Sequence, residues 1–244
     1  MPETPLPGGF VNDVVRVGAT VRRRPSPRAA FTHGLLGFLA ERGWEGAPRF
    51  LGLDERGREV LGHIEGEVPL RDGEAGAAAS DSALARVARM VREFHDLTAD
   101  SPLSGDQEVV CHNDLSPRNT VYATGDGAWR PVAFIDWDLA APGARVHDVA
   151  HVCWQYLDLG PTVTDLPATA RRLRLICDAY GLTERTDLIP TILWWQDRCA
   201  RGIEAAADRG DPAMTALRSR DVPTKIRAAS HWLTAHTTAL SASL

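Results

Sequence analysis

The sequence predicts an α+β chain in two lobes: a small N-terminal β-sheet carrying one helix, then a larger and mainly α-helical C-terminal lobe. Three observations predict it. Short valine-rich segments broken by glycine and polar turns fill the first 65 residues. A polar stretch rich in glycine and alanine, EGEVPLRDGEAGAAAS at 65–80, follows as a connector. From Val146 onward, apolar residues recur at helical spacing almost to the end. The expected lobes are residues 1–68 and 69–244.

The elements follow in order. FVNDVVRVG (10–18) and TVRRR (20–24) suit two strands joined at Gly18 and Ala19. In PSPRAAFTHGLLGFLAERG (25–43), Phe31, Leu35, Leu36 and Leu39 mark a helix whose end falls at Gly43. RFLGLDERGREVLGHI (49–64) divides into two strands about a polar turn at 54–57. Beyond the connector, Leu84, Val87, Val91 and Phe94 share one face of a helix that Ser80 or Asp81 can cap. EVVCH (108–112), NTVYA (119–123) and PVAFID (131–136) are brief apolar segments around turns. Helical patterns then run through 149–159, 168–180, 187–206 and 222–239, with breaks at LGPTVTDLP and DRGDPA.

Composition narrows the function classes. A net charge of −5 argues against a dedicated nucleic-acid binder, which is usually basic over its binding face. No apolar run reaches the roughly 18 residues that a membrane span needs. The N-terminus MPETPLPGGF has neither a basic nor an apolar leader region, so the expected location is the cytoplasm. Cys111, Cys153, Cys177 and Cys199 are scattered without metal spacing and read as reduced, mostly buried thiols.

Two motifs carry chemistry: CHNDLSPRN at 111–119 and FIDWD at 134–138. Phosphoryl transfer asks little covalent work of a protein. One carboxylate orients or deprotonates the attacking hydroxyl, and hard oxygen ligands hold Mg²⁺ against the phosphates. Asp114 and Asn119 sit on one loop, and Asp136 ends a strand that can pair with the segment after Asn119. That places a base and two metal ligands on one rim.

The pattern H-x-D-L-x-x-x-N followed by I-D-x-D resembles the catalytic loop and metal-binding motif of the aminoglycoside phosphotransferase family, small-molecule kinases on the protein-kinase fold. EGEVPL resembles the segment after that fold's hinge, VREFHDLT the helix before the catalytic loop, and VHDVAHV the family's aspartate-bearing helix start. GGFVNDVVRVG stands where the nucleotide-covering hairpin belongs. The resemblance implies transfer of the γ-phosphate of ATP or GTP, with Mg²⁺, to a hydroxyl of a small molecule, aminoglycoside-like or another hydroxylated metabolite. It implies Asp114 as catalytic base, His112 as a brace of the catalytic loop, and Asn119 and Asp136 as metal ligands. Asp148 is implied to stabilise the catalytic loop. Asp138 stays open between a group behind the metal site, a second metal ligand and a partner for Arg145 or Arg118. The hinge backbone, Gly62, His63 and Ile64, would take the nucleobase.

The N-terminal lobe departs from the pattern. No lysine occurs in ATVRRRPSP, so an arginine takes its place on the phosphate, Arg23 or alternatively Arg22. The arginine run also suits a solvated edge strand. The helix offers Thr32 or His33 where a glutamate is expected, with Glu41 too late, and only Gly8 and Gly9 stand for the glycine loop. One of Trp194 and Trp195 is expected in the core and the other at a pocket. Asp158 and Asp197 are candidates to meet a cationic acceptor, with Asp178 and Glu204 as further acids of that lobe.

Two other function classes compete. His147, Asp148 and His151, joined by His95 and His112, would suit a metal-dependent phosphohydrolase of the histidine–aspartate type. A catalytically silent kinase-like binding module would account for the missing lysine and glutamate.

Overall fold

TVRR forms the central strand of the N-terminal sheet. The computed structural model describes residues 2–6, 14–70, 74–125 and 128–244. Gly8, Gly9 and the first residues of the expected leading strand, 10–13, lie outside the described residues, as do 71–73 of the connector. Strands β1 (Thr4–Pro5), β2 (Val15–Val17), β3 (Thr20–Arg23), β4 (Phe50–Leu53) and β5 (Glu59–Gly62) form one antiparallel sheet in the order β1-β2-β3-β5-β4. β3 is thus paired on both sides, so the arginine run is not an edge strand. Helix α1 (Ala29–Glu41) crosses between β3 and β4 and buries Leu35, Leu36 and Leu39. Gly43 follows it at φ +69°, the left-handed conformation that ends a helix without a side-chain clash. The β4–β5 turn is fastened by Asp54, whose Oδ1 accepts from the N–H groups of Arg56 and Arg58.

The second lobe begins inside the expected connector with a short helix, α2 (Glu74–Ala78). Helix α3 (Asp81–Thr98) is capped by Ser80 Oγ, which accepts from the Ala83 N–H. Its apolar face, Leu84, Val87, Val91 and Phe94, is buried. Four short strands come next: β6 (Val109–Cys111), β7 (Thr120–Gly125), β8 (Ala128–Phe134) and β9 (Ala141–Gly143). β7 and β8 form a hairpin, while β6 pairs with β9, a strand the sequence did not reveal. Helices α4 (Arg145–Tyr156), α5 (Leu166–Tyr180), α6 (Leu188–Asp208), α7 (Pro212–Ser219) and α8 (Val222–Ser241) complete the lobe. α7 begins inside the expected break at DRGDPA and fills residues between the two helical patterns expected at 187–206 and 222–239. Asp211 caps it by accepting from the Met214 N–H, and Pro212 opens it, so local capping outweighs the lack of a buried face. Among the described residues no helix is long and apolar enough to cross a membrane.

The lobes meet through backbone and aromatic contacts. Glu67 and Tyr122 exchange two N–H···O=C bonds of 2.8 Å, which ties the connector to β7. Gly66 permits that approach: at φ +147°, a Cβ there would stand 2.6 Å from Tyr122 O. Phe134 N–H donates to Gly46 O at 2.8 Å. Trp137, 1% exposed, is the aromatic keystone. Its ring lies edge-on to Phe94 (5.2 Å) and Trp44 (6.2 Å), and its Nε1–H donates to Phe134 O. Truncating so large a buried side chain typically costs about 3–5 kcal/mol. Trp137→Ala should therefore lower the unfolding free energy measured in urea by that amount with little change in slope; a loss under about 1 kcal/mol would show that Trp137 does not join the lobes.

Candidate active site

The Asp148 carboxylate organises the first motif. It stands in the first turn of α4 and is fully buried, where the helix N-terminus favours a negative charge. Oδ2 accepts from the His112 N–H at 2.7 Å and Oδ1 from the Asn113 N–H at 2.9 Å. His95 Nε2 completes the set at 3.1 Å, and His95 Nδ1 meets Tyr180 OH at 2.8 Å. Burial alone would raise the Asp148 carboxyl, but the His95 hydrogen bond and the neighbouring imidazoles hold it below the usual carboxylate range. Asn113 can then sit at φ +65°, a conformation a non-glycine residue adopts at a cost.

His112 locks the first motif to the second. Its Nε2–H donates to Ile135 O at 3.1 Å, and its Nδ1 accepts from the Asp114 N–H at 3.3 Å. Burial pushes this imidazole down to about 4, so it is neutral with both nitrogens spent. Such a group braces the loop and has no nitrogen left to exchange a proton with a substrate. Ile135 N–H donates to Asn119 O at 2.9 Å, a second clamp between the motifs.

These clamps bring Asp114, Asn119 and Asp136 to one rim. Asn119 Nδ2 donates to Asp114 Oδ2 at 2.7 Å and to Asp114 O at 2.8 Å, which leaves its Oδ1 for another partner. Asp136 follows β8 at φ +63°, its side chain 50% exposed. Burial, then the charge of Asp136, pushes the Asp114 carboxyl up to about 7 despite the hydrogen bond from Asn119. Asp136 is raised as well, by burial and then by Asp138, with Arg23 opposing. Carboxylates raised by burial and then by mutual repulsion, beside an amide oxygen, are hard donors short of positive charge. That donor set fits Mg²⁺.

Arg23 fills part of that need. Its Nε–H donates to Glu59 Oε2 at 2.6 Å, and its terminal nitrogens bind Asp138 at 2.5 and 3.0 Å and Asp136 at 3.3 Å. The strand register places Arg23 and not Arg22 at the site, since Arg22 turns to Thr20 and Asp54. Its donors are held by carboxylates, which corrects the expectation of an arginine open to grip phosphate. Asp138 pairs with Arg23 and not with Arg145 or Arg118; Arg145 binds Asp96 and Tyr180, and Arg118 is exposed. Glu59 was missed in the sequence. It alternates with Leu61 on the buried side of β5, and an acid in phase with core residues is the signal that could have found it.

The remaining candidates are distributed as follows. At the hinge, the N–H groups of Gly62 and His63 already donate to Arg49 O and Ala19 O, so they are not donors for a nucleobase; Ile64 follows them directly. In the helical lobe, Asp197 pairs with Arg201, Asp178 with Arg185 and Glu204 with Arg227, all on exposed surface. Asp158 bonds its neighbour Thr162. None of these four acids is drawn to the rim by a described contact. Burial, and then the charge of Asp114, raise the thiol of Cys199 on α6 to about 11. Trp195 is buried with its Nε1–H on His147 O, whereas Trp194, 43% exposed, lines a cavity of about 340 Å³ with His147 and Asp187. His147 stacks on Trp194 while His151 Nδ1 meets Leu115 O. Among the described residues the group of possible metal ligands around Asp148 is His95, Cys111 and Asp148, without His147, His151 or His112 of the histidine–aspartate set.

Comparison with known proteins places this arrangement. Residues 102–186, which span both motifs, match the phosphotransferase enzyme family. The fold of the chain is kinase-like. The aminoglycoside phosphotransferase APH(3'')-Id from Streptomyces rimosus, in complex with ADP and streptomycin, superposes with a TM-score of 0.59 at 15% identity, covering 79% of this chain and 91% of that one. An ethanolamine kinase from Plasmodium vivax superposes at 0.63 and 12% identity over 100% of this chain and 83% of that one. The trifolitoxin immunity protein of Rhizobium leguminosarum bv. trifolii is 29% identical over 270 aligned residues, covering 98% of this chain and 97% of its own length. The two-lobed kinase-like fold is common to the structural relatives.

The position of Asp114 has a consequence for stability. Its carboxyl titrates at about 7 when folded, against an ordinary value of 3.8. The folded chain therefore binds this proton more tightly than the unfolded chain. The stabilisation is complete at low pH and is lost as pH rises from about 4 through about 7. Without divalent ions, Asp114→Asn should gain on the parent in melting temperature by a few degrees between about pH 5 and about pH 8. Parallel pH profiles for the two proteins would refute the assigned burial of that carboxyl.

Proposed function

We propose that the chain is a phosphotransferase that moves the γ-phosphate of ATP or GTP to a hydroxyl of a small molecule. The observation that carries this reading is the convergence of Asp114, Asn119 and Asp136 on one rim beneath the small sheet. In it, residues 1–68 cover the nucleotide and 69–244 supply catalytic and acceptor groups. Asp114 Oδ1 receives the proton of the acceptor hydroxyl, while Asn119 Nδ2 holds Oδ2 and fixes the carboxylate plane. Asn119 Oδ1 and Asp136 would hold Mg²⁺, which supplies charge neutralisation along the phosphates. The hinge backbone at His63 and Ile64 meets the nucleobase through groups other than the spent N–H of His63. Catalysis is then positioning and electrostatics on a rigid loop.

The relatives' ligands support a hydroxylated acceptor: ADP and streptomycin for one neighbour, ethanolamine by name for the other. The immunity protein suggests a toxic small molecule as acceptor, acted on in the cytoplasm. That same relative, with Arg23 already seated on Asp136 and Asp138, also favours a second reading, a kinase-like module that binds without turnover.

An ATP- and GTP-consumption screen over hydroxylated amines, sugars and antibiotics separates the two. The parent should turn over at least one acceptor, and Asp114→Ala should lose about 100- to 10,000-fold in rate while remaining folded and keeping its nucleotide affinity. Asp136→Ala should instead weaken Mg²⁺-dependent nucleotide binding. An Asp114→Ala rate within a few-fold of the parent would sink the mechanism, and binding without turnover would favour the silent module.

A further inference from the structure

We propose that Glu59 and His33 are positioning residues of the metal–nucleotide site, acting through Arg23 on Asp138 and Asp136. The inference rests on the phosphotransferase reading above. Its basis is an unbroken line of contacts from α1 to the acidic turn. Glu59 is 1% exposed and spends both oxygens, Oε2 on Arg23 Nε at 2.6 Å and Oε1 on His33 Nε2 at 2.7 Å. A carboxylate so buried is stable only with such partners. His33 is itself held flat on Phe50, with ring centres 3.7 Å apart and planes 11° apart.

The guanidinium is planar and rigid, so fixing its Nε edge fixes where its terminal nitrogens point. They point at Asp138 twice and at Asp136 once. Asp138 is therefore the anchor. Asp136, half exposed and among the described residues touched at Oδ1 by Arg23, is the carboxylate able to turn to a cation.

The arrangement differs from the lysine–glutamate pair expected of a kinase-like fold, in which the strand cation is met by a carboxylate on the helix. Here the carboxylate stands on β5, directly across the sheet from Arg23, and the helix contributes an imidazole to it. Arg23 and Glu59 are cross-strand partners, so the register of the sheet brings guanidinium and carboxylate together, and His33 of α1 holds the other carboxylate oxygen. The device holds carboxylates in place, and phosphate charge falls to other groups. Removing the Glu59 charge frees Arg23 to settle on Asp136 and Asp138, where it competes with a metal ion.

The test uses the full chain and two readouts. Calorimetric titration with ADP, with and without Mg²⁺, should show Glu59→Gln weakening the Mg²⁺-dependent affinity about tenfold or more, as removal of groups behind metal ligands typically does. Its Mg²⁺-free affinity should stay within about twofold. His33→Phe, which keeps a ring against Phe50, should move in the same direction by less. Separately, a cycle of Glu59→Gln, Asp138→Asn and the double variant in urea without nucleotide should be non-additive, because both side chains act on one guanidinium. Unchanged Mg²⁺ dependence in Glu59→Gln, or equal losses with and without Mg²⁺, overturns the positioning role. A parent that binds no nucleotide defeats the phosphotransferase reading and the positioning role with it, and additive effects in the cycle then remove the relay as well.

Discussion

Asp148 carries the constraint on which the site depends. Its two oxygens collect the N–H groups of His112 and Asn113 and the imidazole of His95, and the carboxylate itself is fully buried. A carboxylate removed from water is expensive, and here three donors and a helix N-terminus offset the loss. In return the backbone at the head of the loop has one conformation, including the left-handed turn at Asn113. Everything downstream inherits that geometry. His112 reaches Ile135, Asn119 reaches both Asp114 and Ile135, and Asp136 is delivered to the rim.

Charge then becomes the limiting quantity. Asp114, Asp136 and Asp138 crowd one rim, and burial, then their repulsion, raises the carboxyls of Asp114 and Asp136. Arg23 is the internal answer, and its own proton is tightly held: burial works against the charge, but Asp138 and Glu59 more than offset it. A single cation from the sheet lobe thus meets three carboxylates, two of them in the helical lobe. This makes the cleft a place where electrostatics, as well as aromatic packing around Trp137, joins the lobes.

The relatives share a fold at 12–15% identity while differing in what they bind by name. Such divergence is expected where a rigid loop does the chemistry and surrounding helices shape the acceptor. Here those helices show little bias toward one ligand. Asp178, Asp197 and Glu204 are each paired with an arginine, and Asp158 accepts from Thr162.

The sequence by itself determined the two-lobed α+β class, the elements with strong periodicity and the three oxygen-bearing residues of the rim. These were legible because each rests on residues close in the chain. A helix face repeats within a few residues, and Asp114 and Asn119 share one loop. Only tertiary structure decided what Arg23 and Asp138 meet, that Glu59 is the buried partner, and that the hinge N–H groups of Gly62 and His63 are spent. Arg23 and Asp138 are 115 residues apart, and Arg23 and Glu59 are 36. Their pairing follows from strand order and lobe docking, which depend on packing summed over the whole chain, and a charged side chain carries no local mark of its distant counter-ion.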